Sequence, residues 1–352
     1  MTVRVGVIGC GVQGSHHLRA YRALAHVEIA AICDSDPVRL EKAGREFAVE
    51  NRYSAYQQLL ESDRFDLVSI CTMPVSHCEI ALAALDVGAN VLCEKPLALN
   101  AAEAETMARA AHRAGCFLTV GFNMRYMPAA QALKHFVAEG RLGRTLYTHA
   151  WTIATDIPWW GKHYVKAISG GGVLASTAVH IIDLALWIGG AASPLTASAS
   201  MTRVFPQKRA GTAPTPEAAS SYDVEDMISG HIRFADGSWM TLEAGWCWDR
   251  PDNSYSFEII GDAAAIQFDP MRVVVEQQGI PLEQITSTPG DRLHSTVWPQ
   301  SVTDQIADVV AAARESREPL VKIHEALTVQ RLIDALYHSA DLGREVMLSS
   351  RV

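Results

Sequence analysis

The sequence predicts an α/β protein with two domains: a doubly wound parallel sheet, followed by an α+β domain whose open sheet is mostly antiparallel. Short apolar runs such as Val3–Ile8 and Glu28–Cys33 alternate with stretches of helical periodicity near the start of the chain. This alternation is typical of a parallel sheet with helices on both faces. Beyond Gly121 the apolar runs lie closer together and are joined by turns such as Ala235-Asp236-Gly237, which favours antiparallel strands. We place the domains at residues 1–122 and 123–352, and each is long enough to bury a core.

The individual elements follow from the same patterns. In the first domain we expect further strands at Leu67–Cys71, Asn90–Cys93 and Phe117–Gly121, and helices at Ser15–Leu24, Pro37–Phe47, His77–Val87 and Ala101–Ala114. In the second we expect strands at Gly230–Phe234, Trp239–Ala244, Tyr255–Ile260 and Arg272–Glu276, and helices near Thr177–Trp187, Thr303–Ala313 and His324–Leu342. The final helix could pack back on the first domain. Arg203–Ser221 follows neither period and is rich in proline and small residues, so it is predicted to be a long mobile loop.

Composition and charge exclude several classes of protein. Charged residues make up 20% of the chain, and the net charge of −9 comes without a dense basic block, so binding to nucleic acid is not expected. No uninterrupted apolar run approaches the roughly 18 residues of a membrane span, and the start of the chain resembles no signal peptide. The seven cysteines are scattered without CxxC pairs, as expected of core residues in a reducing compartment. The sequence therefore predicts a cytoplasmic protein with no membrane partner.

The turn after the first predicted strand carries a dinucleotide-binding fingerprint. Gly9-Cys10-Gly11-Val12-Gln13-Gly14 matches GxGxxG, in which the glycines let backbone N–H groups approach a pyrophosphate at a helix N-terminus. Asp34 ends the next apolar run, where a carboxylate would accept hydrogen bonds from both ribose hydroxyls. The same charge would repel a 2′-phosphate, and Ser35-Asp36 supplies no arginine to neutralise one. The sequence therefore predicts NAD rather than NADP, with contacts from Gly9, Gly11, Val12, Gln13, Gly14 and Asp34.

A second motif follows the predicted strand Asn90–Cys93. Glu94-Lys95-Pro96 comes directly after this strand, and Thr72 and His77 flank the end of the preceding one. Because the carboxyl ends of parallel strands line the crevice in which open α/β sheets bind ligands, Thr72, His77, Glu94 and Lys95 are further candidates for cofactor contact. For the tripeptide taken alone, a solvated surface turn is the alternative.

With these motifs the chain resembles the glucose-fructose oxidoreductase, inositol dehydrogenase and MocA (Gfo/Idh/MocA) family over nearly its whole length. The matching residues are Gly9–Gly14, Thr72 with His77, Glu94-Lys95-Pro96, Gly121-Phe122 with Arg125 and Pro128, Gly170-Gly171-Gly172 leading to His180 and Asp183, and the stretch Ala335–Val346. The resemblance implies a Rossmann domain, a C-terminal domain with an open and mostly antiparallel sheet, a nicotinamide cofactor, and a sugar or cyclitol substrate.

Lys95 and His180 are the residues expected to carry the chemistry. Oxidation of a secondary alcohol needs a base for the hydroxyl proton and a cation or donor for the developing alkoxide. Lys95 can supply the cation, and desolvation would lower its pKa so that it could also relay a proton. His180 is the natural acid/base at physiological pH, although a lone histidine in an apolar stretch is more often a core residue; the family context favours catalysis.

The chain departs from the family's pattern four residues before His180. The family usually has an aspartate at this position, whereas this chain has Ser176, and the usual intervening glycine is Ala178. A serine hydroxyl can hydrogen-bond a substrate but cannot supply the negative charge that raises the basicity of a histidine. Either Asp183 takes over the orientation of His180, or the protein departs from simple alcohol oxidation. The sequence leaves both alternatives open.

Arginine and tryptophan side chains are candidates for substrate contact. The resemblance implies such a contact for Arg125, whose five donors suit polyols or carboxylates. One of Trp159 and Trp160 could stack on a sugar ring, and Trp159 is the candidate. All eight tryptophans follow residue 150, and their apolar area, together with an open sheet, predicts a homodimer or a homotetramer built as a dimer of dimers.

Three functions are compatible with these features. The leading hypothesis is NAD-dependent oxidation of a secondary hydroxyl of a sugar, sugar acid or cyclitol. The alternative resembles a branch of the family: a glycoside hydrolase that uses NAD transiently to oxidise a ring hydroxyl before elimination. A non-catalytic nucleotide-sensing protein is the third, and the presence of both Lys95 and His180 argues against it.

Overall fold

The computed structural model of the protein describes residues 2–190, 192–205, 210–249, 253–277, 280–285 and 297–348. Contacts divide the chain into two compact units. The first comprises Met1–Tyr126 and Thr296–Leu327, and the second comprises Met127–Ser295 and Thr328–Val352. Each unit is therefore built from two separate stretches of chain.

The first unit contains a six-stranded parallel sheet, which confirms the predicted doubly wound α/β architecture. Its strands are β1 (Val3–Ile8), β2 (Val27–Cys33), β3 (Arg52–Tyr53), β4 (Leu67–Ile70), β5 (Asn90–Cys93) and β6 (Leu118–Val120). They lie in the order β3-β2-β1-β4-β5-β6, and every neighbouring pair is parallel. All four residues of β4 are buried, as expected of a strand covered on both faces. The strand order reverses between β1 and β4, and such a reversal opens the crevice in which these sheets bind ligands.

The helices of the first unit begin where the local sequence favours a start. Their bounds are Val12–Ala23, Pro37–Phe47, Tyr56–Ser62, His77–Asp86, Ala101–Ala114 and Val297–Glu315. Asp36 and Asn100 cap two of them by accepting hydrogen bonds from backbone N–H groups of the first turn. Pro37 stands at the first helical position, where a missing N–H leaves no hydrogen bond unmade.

The helix Val297–Glu315 belongs to the core of the first unit although it lies far along the chain. Its buried residues Val302 and Ile306 are part of the same apolar cluster as Val5 and Leu18. Each large apolar side chain buried in this way contributes about 1.5–3 kcal/mol. The stability of the first unit therefore depends on both of its stretches of chain.

The second unit contains a nine-stranded sheet that is antiparallel except for one pair of strands. The strands are β7 (Thr145–Ile153), β8 (Pro194–Thr202), β9 (Met227–Phe234), β10 (Trp239–Gly245), β11 (Ser254–Gly261), β12 (Ala264–Gln267), β13 (Arg272–Gln277), β14 (Ile280–Ile285) and β15 (Val346–Met347). Their order is β14-β13-β12-β11-β7-β10-β9-β8-β15. Only β7 and β10 pair in parallel. The predicted open, mostly antiparallel sheet is confirmed.

The two faces of this sheet differ in burial. Along β9, Ile228 and Ile232 are buried, whereas Arg233 points to the other face and is exposed. The helices of the unit are Pro128–Ala138, Lys166–Ser169, Val179–Gly189 and Pro216–Ser220, and the final helix Ile323–Leu342 contributes residues to both units. Helix Val179–Gly189 packs on β7 and β11. On the outer face, Trp239 is 43% exposed.

The prediction of a long loop at Arg203–Ser221 is wrong for the second half of this segment. Residues Pro216–Ser220 form a helix, and the hydroxyl of Thr215 caps it by accepting from the backbone N–H of Ala218 at 3.1 Å. A threonine before a proline is a common helix start, so the local sequence did carry this signal. Residues 206–209 lie outside the described residues.

One helical run, Lys166–Gly189, is long and apolar enough to cross a membrane by length and composition alone. Inside the protein, 83% of its most apolar window is buried, as is usual for the core helix of a folded domain. The run is not uniformly α-helical, because Leu174–Ala178 is a π-helical segment directly before helix Val179–Gly189. The expected absence of a membrane partner stays a prediction.

Candidate active site

The glycine turn between β1 and helix Val12–Ala23 is packed so closely that side chains would not fit. Gly9 has a φ of +96°, and a Cβ there would lie 2.6 Å from the backbone carbonyl of Cys71. A Cβ on Gly14 would lie 1.8 Å from the carbonyl oxygen of Gly9. At Gly11, in contrast, a Cβ would meet no atom within 4 Å. The first and third glycines are therefore required by packing, and the second faces open space.

The start of helix Val12–Ala23 is suited to an anion. Gly11 is its N-cap, no side chain caps the backbone N–H groups, and the first turn contains no acidic residue. Uncapped N–H groups and the positive end of the helix dipole favour negative charge at this position. Together with the open space at Gly11, these features fit the pyrophosphate of a dinucleotide.

Asp34 is fixed beside this turn. Its carboxylate is 8% exposed and accepts from the backbone N–H of Cys10 at 2.7 Å through Oδ2 and of Asp36 at 2.8 Å through Oδ1. Each carboxylate oxygen has about two acceptor positions, so capacity remains for ribose hydroxyls. The two backbone bonds hold the carboxylate in one orientation.

Glu94 lies at the centre of a buried hydrogen-bond network at the end of β5. Its Oε1 accepts from Nε2 of His17 at 3.1 Å and from Nε2 of Gln13 at 3.3 Å, and its Oε2 accepts from the backbone N–H of Lys95 at 3.2 Å. Burial raises the pKa of the Glu94 carboxyl, but the hydrogen bond and charge of His17 and the charge of Lys95 outweigh it, so the pKa lies below its ordinary value. A Cβ on Gly121 would come within 3.0 Å of this carboxylate. Glu94 is therefore a buried anion beside Lys95.

His17 was not found by sequence reasoning. Its ring is fully buried, and Nδ1 lies 3.2 Å from the hydroxyl of Ser69, which shares a hydrogen bond of 2.7 Å with the hydroxyl of Tyr21. The available signal was a histidine on the inward face of the helix that follows the glycine turn. The network connects this helix to the end of β5, which carries Lys95.

Lys95 is partly buried at the end of β5. Burial lowers the pKa of its ammonium group, and the charge of Glu94 opposes this effect only in part. A lysine with a lowered pKa can stabilise negative charge when protonated and also releases a proton more readily than an ordinary lysine. This combination is what the oxidation of an alcohol requires.

The ring of His77 connects two loops of the first unit, and its predicted contact with the cofactor stays a prediction. The ring is fully buried, with Nδ1 3.0 Å from the carbonyl oxygen of Pro96 and Nε2 3.1 Å from that of Thr72. It therefore ties the loop after β4 to the loop after β5. The Thr72 hydroxyl accepts from the Ser76 hydroxyl at 2.8 Å.

His77 makes the stability of the protein dependent on pH. Burial lowers the pKa of its ring below 6.5, although hydrogen bonds to backbone carbonyls oppose this. The unfolded chain then binds a proton more readily, so the stabilisation present above pH 6.5 is lost as the pH falls through the lowered pKa. We expect the free energy of unfolding of His77→Gln, measured in urea, to be about 1–3 kcal/mol lower than that of the wild type at pH 8. Below pH 6.5 this free energy should decline less steeply with falling pH than it does in the wild type. His135→Gln, at an exposed histidine, is the matched control; equal slopes for both variants would refute this role.

In the second unit, Ser176 and His180 lie on the helical run that contains the π segment. Ser176 is buried in this segment, and its hydroxyl donates to the carbonyl oxygen of Gly172 at 2.6 Å. A substrate contact of Ser176 would therefore use its oxygen as an acceptor. His180 is partly buried in the first turn of helix Val179–Gly189.

Asp183 is 1% exposed on the same helix. It lies close enough to Tyr255 of β11 that its charge adds to burial in raising the pKa of that hydroxyl. Sequence reasoning did not identify Tyr255 as a neighbour, because the two residues are far apart in the chain. The idea that Asp183 orients His180 stays a prediction.

The candidate substrate residues Arg125 and Trp159 are both engaged within the protein. Arg125 is 1% exposed, and its Nη1 pairs with Oε2 of Glu325 at 2.5 Å. Trp159 is partly buried and packs edge-on against Tyr164 and Phe205, with ring centroids 5.1 and 5.0 Å apart. Its neighbour Trp160 is exposed. The geometry thus gives Arg125 and Trp159 packing roles, and their substrate contacts stay predictions.

Comparison with known proteins agrees with this arrangement. Two family models match the chain: an oxidoreductase family with an NAD-binding Rossmann fold over residues 3–122, and the C-terminal alpha/beta domain of the same family over residues 134–348. D-glucoside 3-dehydrogenase of Escherichia coli is 26% identical over 98% of this chain and 97% of its own length. Levoglucosan dehydrogenase of Pseudarthrobacter phenanthrenivorans is 31% identical over 76% of this chain and 73% of its own length.

A solved structure extends the comparison to the fold. Levoglucosan dehydrogenase in complex with NADH and levoglucosan superposes with a TM-score of 0.87 and 25% identity, covering 99% of this chain and 100% of that one. The glycine turn, the buried Glu94 beside Lys95 and both family matches lead to one assignment. The chain belongs to the Gfo/Idh/MocA family of oxidoreductases, whose N-terminal domain is an NAD-binding Rossmann fold.

Proposed function

We propose that the protein oxidises a secondary hydroxyl of a sugar, sugar acid or cyclitol, with NAD as the cofactor. The observation that carries this proposal is Lys95, a lysine of lowered pKa that follows a buried carboxylate in the unit bearing the glycine turn. Two relatives named as dehydrogenases of a D-glucoside and of levoglucosan support a sugar ring as the substrate class.

Each residue has a distinct proposed role. The backbone around the glycine turn holds the pyrophosphate, and Asp34 accepts the ribose hydroxyls. NAD, when bound, supplies the acceptor for hydride. Lys95 stabilises the developing alkoxide, and His180 accepts or returns the hydroxyl proton. Ser176 accepts a hydrogen bond from the substrate.

A substrate panel tests this function. Purified protein is incubated with NAD and with glucosides, anhydro sugars, sugar acids and inositols, while the absorbance of NADH and the identity of the products are followed. Stoichiometric NADH with a ketone product supports the dehydrogenase. Release of a free sugar without NADH accumulation identifies the hydrolase alternative, and no conversion of any member of the panel contradicts both.

The role of Asp183 can be separated from that of Ser176. If Asp183 accepts the imidazole N–H of His180, Asp183→Asn loses one charge-assisted hydrogen bond of roughly 1.5–3 kcal/mol. We expect kcat to fall by about 10-fold to 100-fold and the acidic pKa of its pH profile to decrease. Ser176→Ala should mainly raise KM. An unchanged pH profile in Asp183→Asn would leave that residue with a packing role.

The outer face of the nine-stranded sheet supports self-association. Trp239 and Ile260 are exposed on this face, and Tyr147 packs on Trp239 with ring centroids 5.5 Å apart. An open sheet face that exposes aromatic and aliphatic side chains is suited to a symmetric copy. We expect a homodimer or a dimer of dimers in light scattering, and weaker association in Trp239→Asp; a wild-type monomer at micromolar concentration would contradict this.

Location in the cytoplasm is part of the same proposal. None of the seven cysteines, all of which lie among the described residues, forms a disulfide, which suits a reducing compartment. The net charge of −9 argues against nucleic acid or an anionic membrane surface as a partner.

A further inference from the structure

Within the helical run Lys166–Gly189, the continuous helical segment that carries His180 begins at Val173, and a carboxylate distant in the chain accepts hydrogen bonds from the backbone at this start. Oε2 of Glu225 accepts from the N–H of Gly172 at 2.8 Å, and its Oε1 accepts from the N–H of Leu174 at 3.0 Å. Gly172 directly precedes the helix and Leu174 lies in its first turn, so neither N–H group has a partner within the helix. Glu225 is 8% exposed, so water offers these groups little alternative.

Tyr337 completes this arrangement from the final helix. Its hydroxyl donates to Oε1 of Glu225 at 2.9 Å and accepts from the backbone N–H of Ala175 at 3.3 Å. Two side chains thus satisfy three backbone donors of one turn. We call Glu225 and Tyr337 the helix anchor.

The glycine run before the helix is shaped by this anchor. A Cβ on Gly171 would lie 2.0 Å from the Tyr337 hydroxyl oxygen, and a Cβ on Gly172 would lie 1.9 Å from the carbonyl oxygen of Glu225. No side chain fits at either position without displacing an anchor residue. The glycines therefore allow close approach of the anchor to the backbone.

A second contact holds the other end of the π segment. Trp246 is 1% exposed, and its indole N–H donates to the hydroxyl of Thr177 at 3.1 Å. A π-helical turn is less favourable than an α-helical one and persists where its surroundings determine it. Leu174–Ala178 is held in this way from both ends.

We propose that Glu225 and Tyr337 are positioning residues that fix the π-helical register of Leu174–Ala178 and thereby the orientation of His180. In an α-helix each residue is rotated by about 100° from the last, so a slip of one residue turns His180 away from its present direction. This inference rests on the proposed catalytic role of His180, and it gives Glu225 and Tyr337 a role that the resemblance to the family did not assign to them.

The test compares Glu225→Gln and Tyr337→Phe with Asp226→Asn. Asp226 is the matched control, because it is an adjacent buried carboxylate that accepts from the backbone of Val204 and Phe205 instead of the π segment. The first readout needs no substrate. It is the rate at which diethyl pyrocarbonate modifies His180, which peptide mass spectrometry measures. Exposed His135 is the internal reference. We expect at least about a threefold change at His180 in both anchor variants and none in the control.

The second readout is kinetic. With a substrate from the panel, we expect kcat to fall by about 10-fold or more in the anchor variants, equivalent to roughly 1.4 kcal/mol, with KM for NAD unchanged. Glu225→Gln places an amide NH2, which is a donor, where one carboxylate oxygen accepts from a backbone N–H, whereas Tyr337→Phe removes a single hydroxyl. Unchanged modification of His180 in both anchor variants, at retained folding, overturns the proposal. If the modification rate changes but His180→Asn leaves turnover intact, the anchor stands and the catalytic role of His180 fails.

Discussion

Replacement of Lys95 with alanine is expected to lower kcat at least about 100-fold while the dissociation constant for NAD changes less than about threefold. Lys95 is the partly buried cation next to the anionic Glu94, and burial has lowered its pKa. Its removal takes away both the charge that stabilises an alkoxide and a group that can exchange a proton. Steady-state kinetics with a substrate from the panel measures kcat, and displacement of fluorescent NADH by NAD measures the dissociation constant for NAD.

Two further variants sharpen this result. Lys95→Arg keeps the positive charge but cannot release a proton near neutral pH, so partial activity would assign Lys95 to charge stabilisation and full loss to proton transfer. Lys42→Ala, at an exposed lysine of the same unit, is the control and should behave as wild type. Near-normal turnover in Lys95→Ala would leave Lys95 with a structural role only.

Removal of the Asp34 carboxylate is expected to reduce the preference for NAD over NADP by at least about 10-fold in kcat/KM. The carboxylate is held by the N–H groups of Cys10 and Asp36, so it cannot turn away from a 2′-phosphate. Like charges at about 4 Å repel by roughly 1–4 kcal/mol, depending on the local dielectric. The nearby Arg39 is paired with Asp36 at 3.2 Å.

The choice of substitution separates the two causes of this preference. Asp34→Asn keeps the shape and one acceptor oxygen but removes the charge, whereas Asp34→Ala removes both. If Asp34→Asn raises kcat/KM with NADP by a larger factor than it lowers kcat/KM with NAD, repulsion of the 2′-phosphate is the main cause. A wild-type preference for NADP would show that this carboxylate is not at the ribose.

Local patterns predicted the first unit well because its signals are local. A strand, a glycine turn and a helix follow one another within Val3–Ala23. The alternation of short apolar runs with stretches of helical periodicity is enough to predict a parallel sheet. The sequence also predicted a helix near residues 303–313, but it did not predict that this helix belongs to the first unit. Which core a helix joins depends on packing between residues far apart in the chain, and periodicity does not contain that information.

The supporting residues of the site were missed for the same reason. His17 bonds to Glu94 across 77 positions, and Tyr337 bonds to Glu225 across 112. Buried polar side chains of this kind are recognisable only through their partners. The π segment has no sequence pattern of its own either, since its register is determined by side chains from other parts of the chain.

The helix Val297–Glu315 has a consequence for the order of events during biosynthesis. Ribosomes release the N-terminal strands first, and domains generally fold as they emerge. Here Val5 and Leu18 share their apolar cluster with Val302 and Ile306, so the core of the first unit is complete only after residues 297–315 have been synthesised. Until then, its nascent sheet exposes an apolar surface of the kind that chaperones bind. A fragment ending near residue 126 would keep that surface permanently and should be recovered in aggregates.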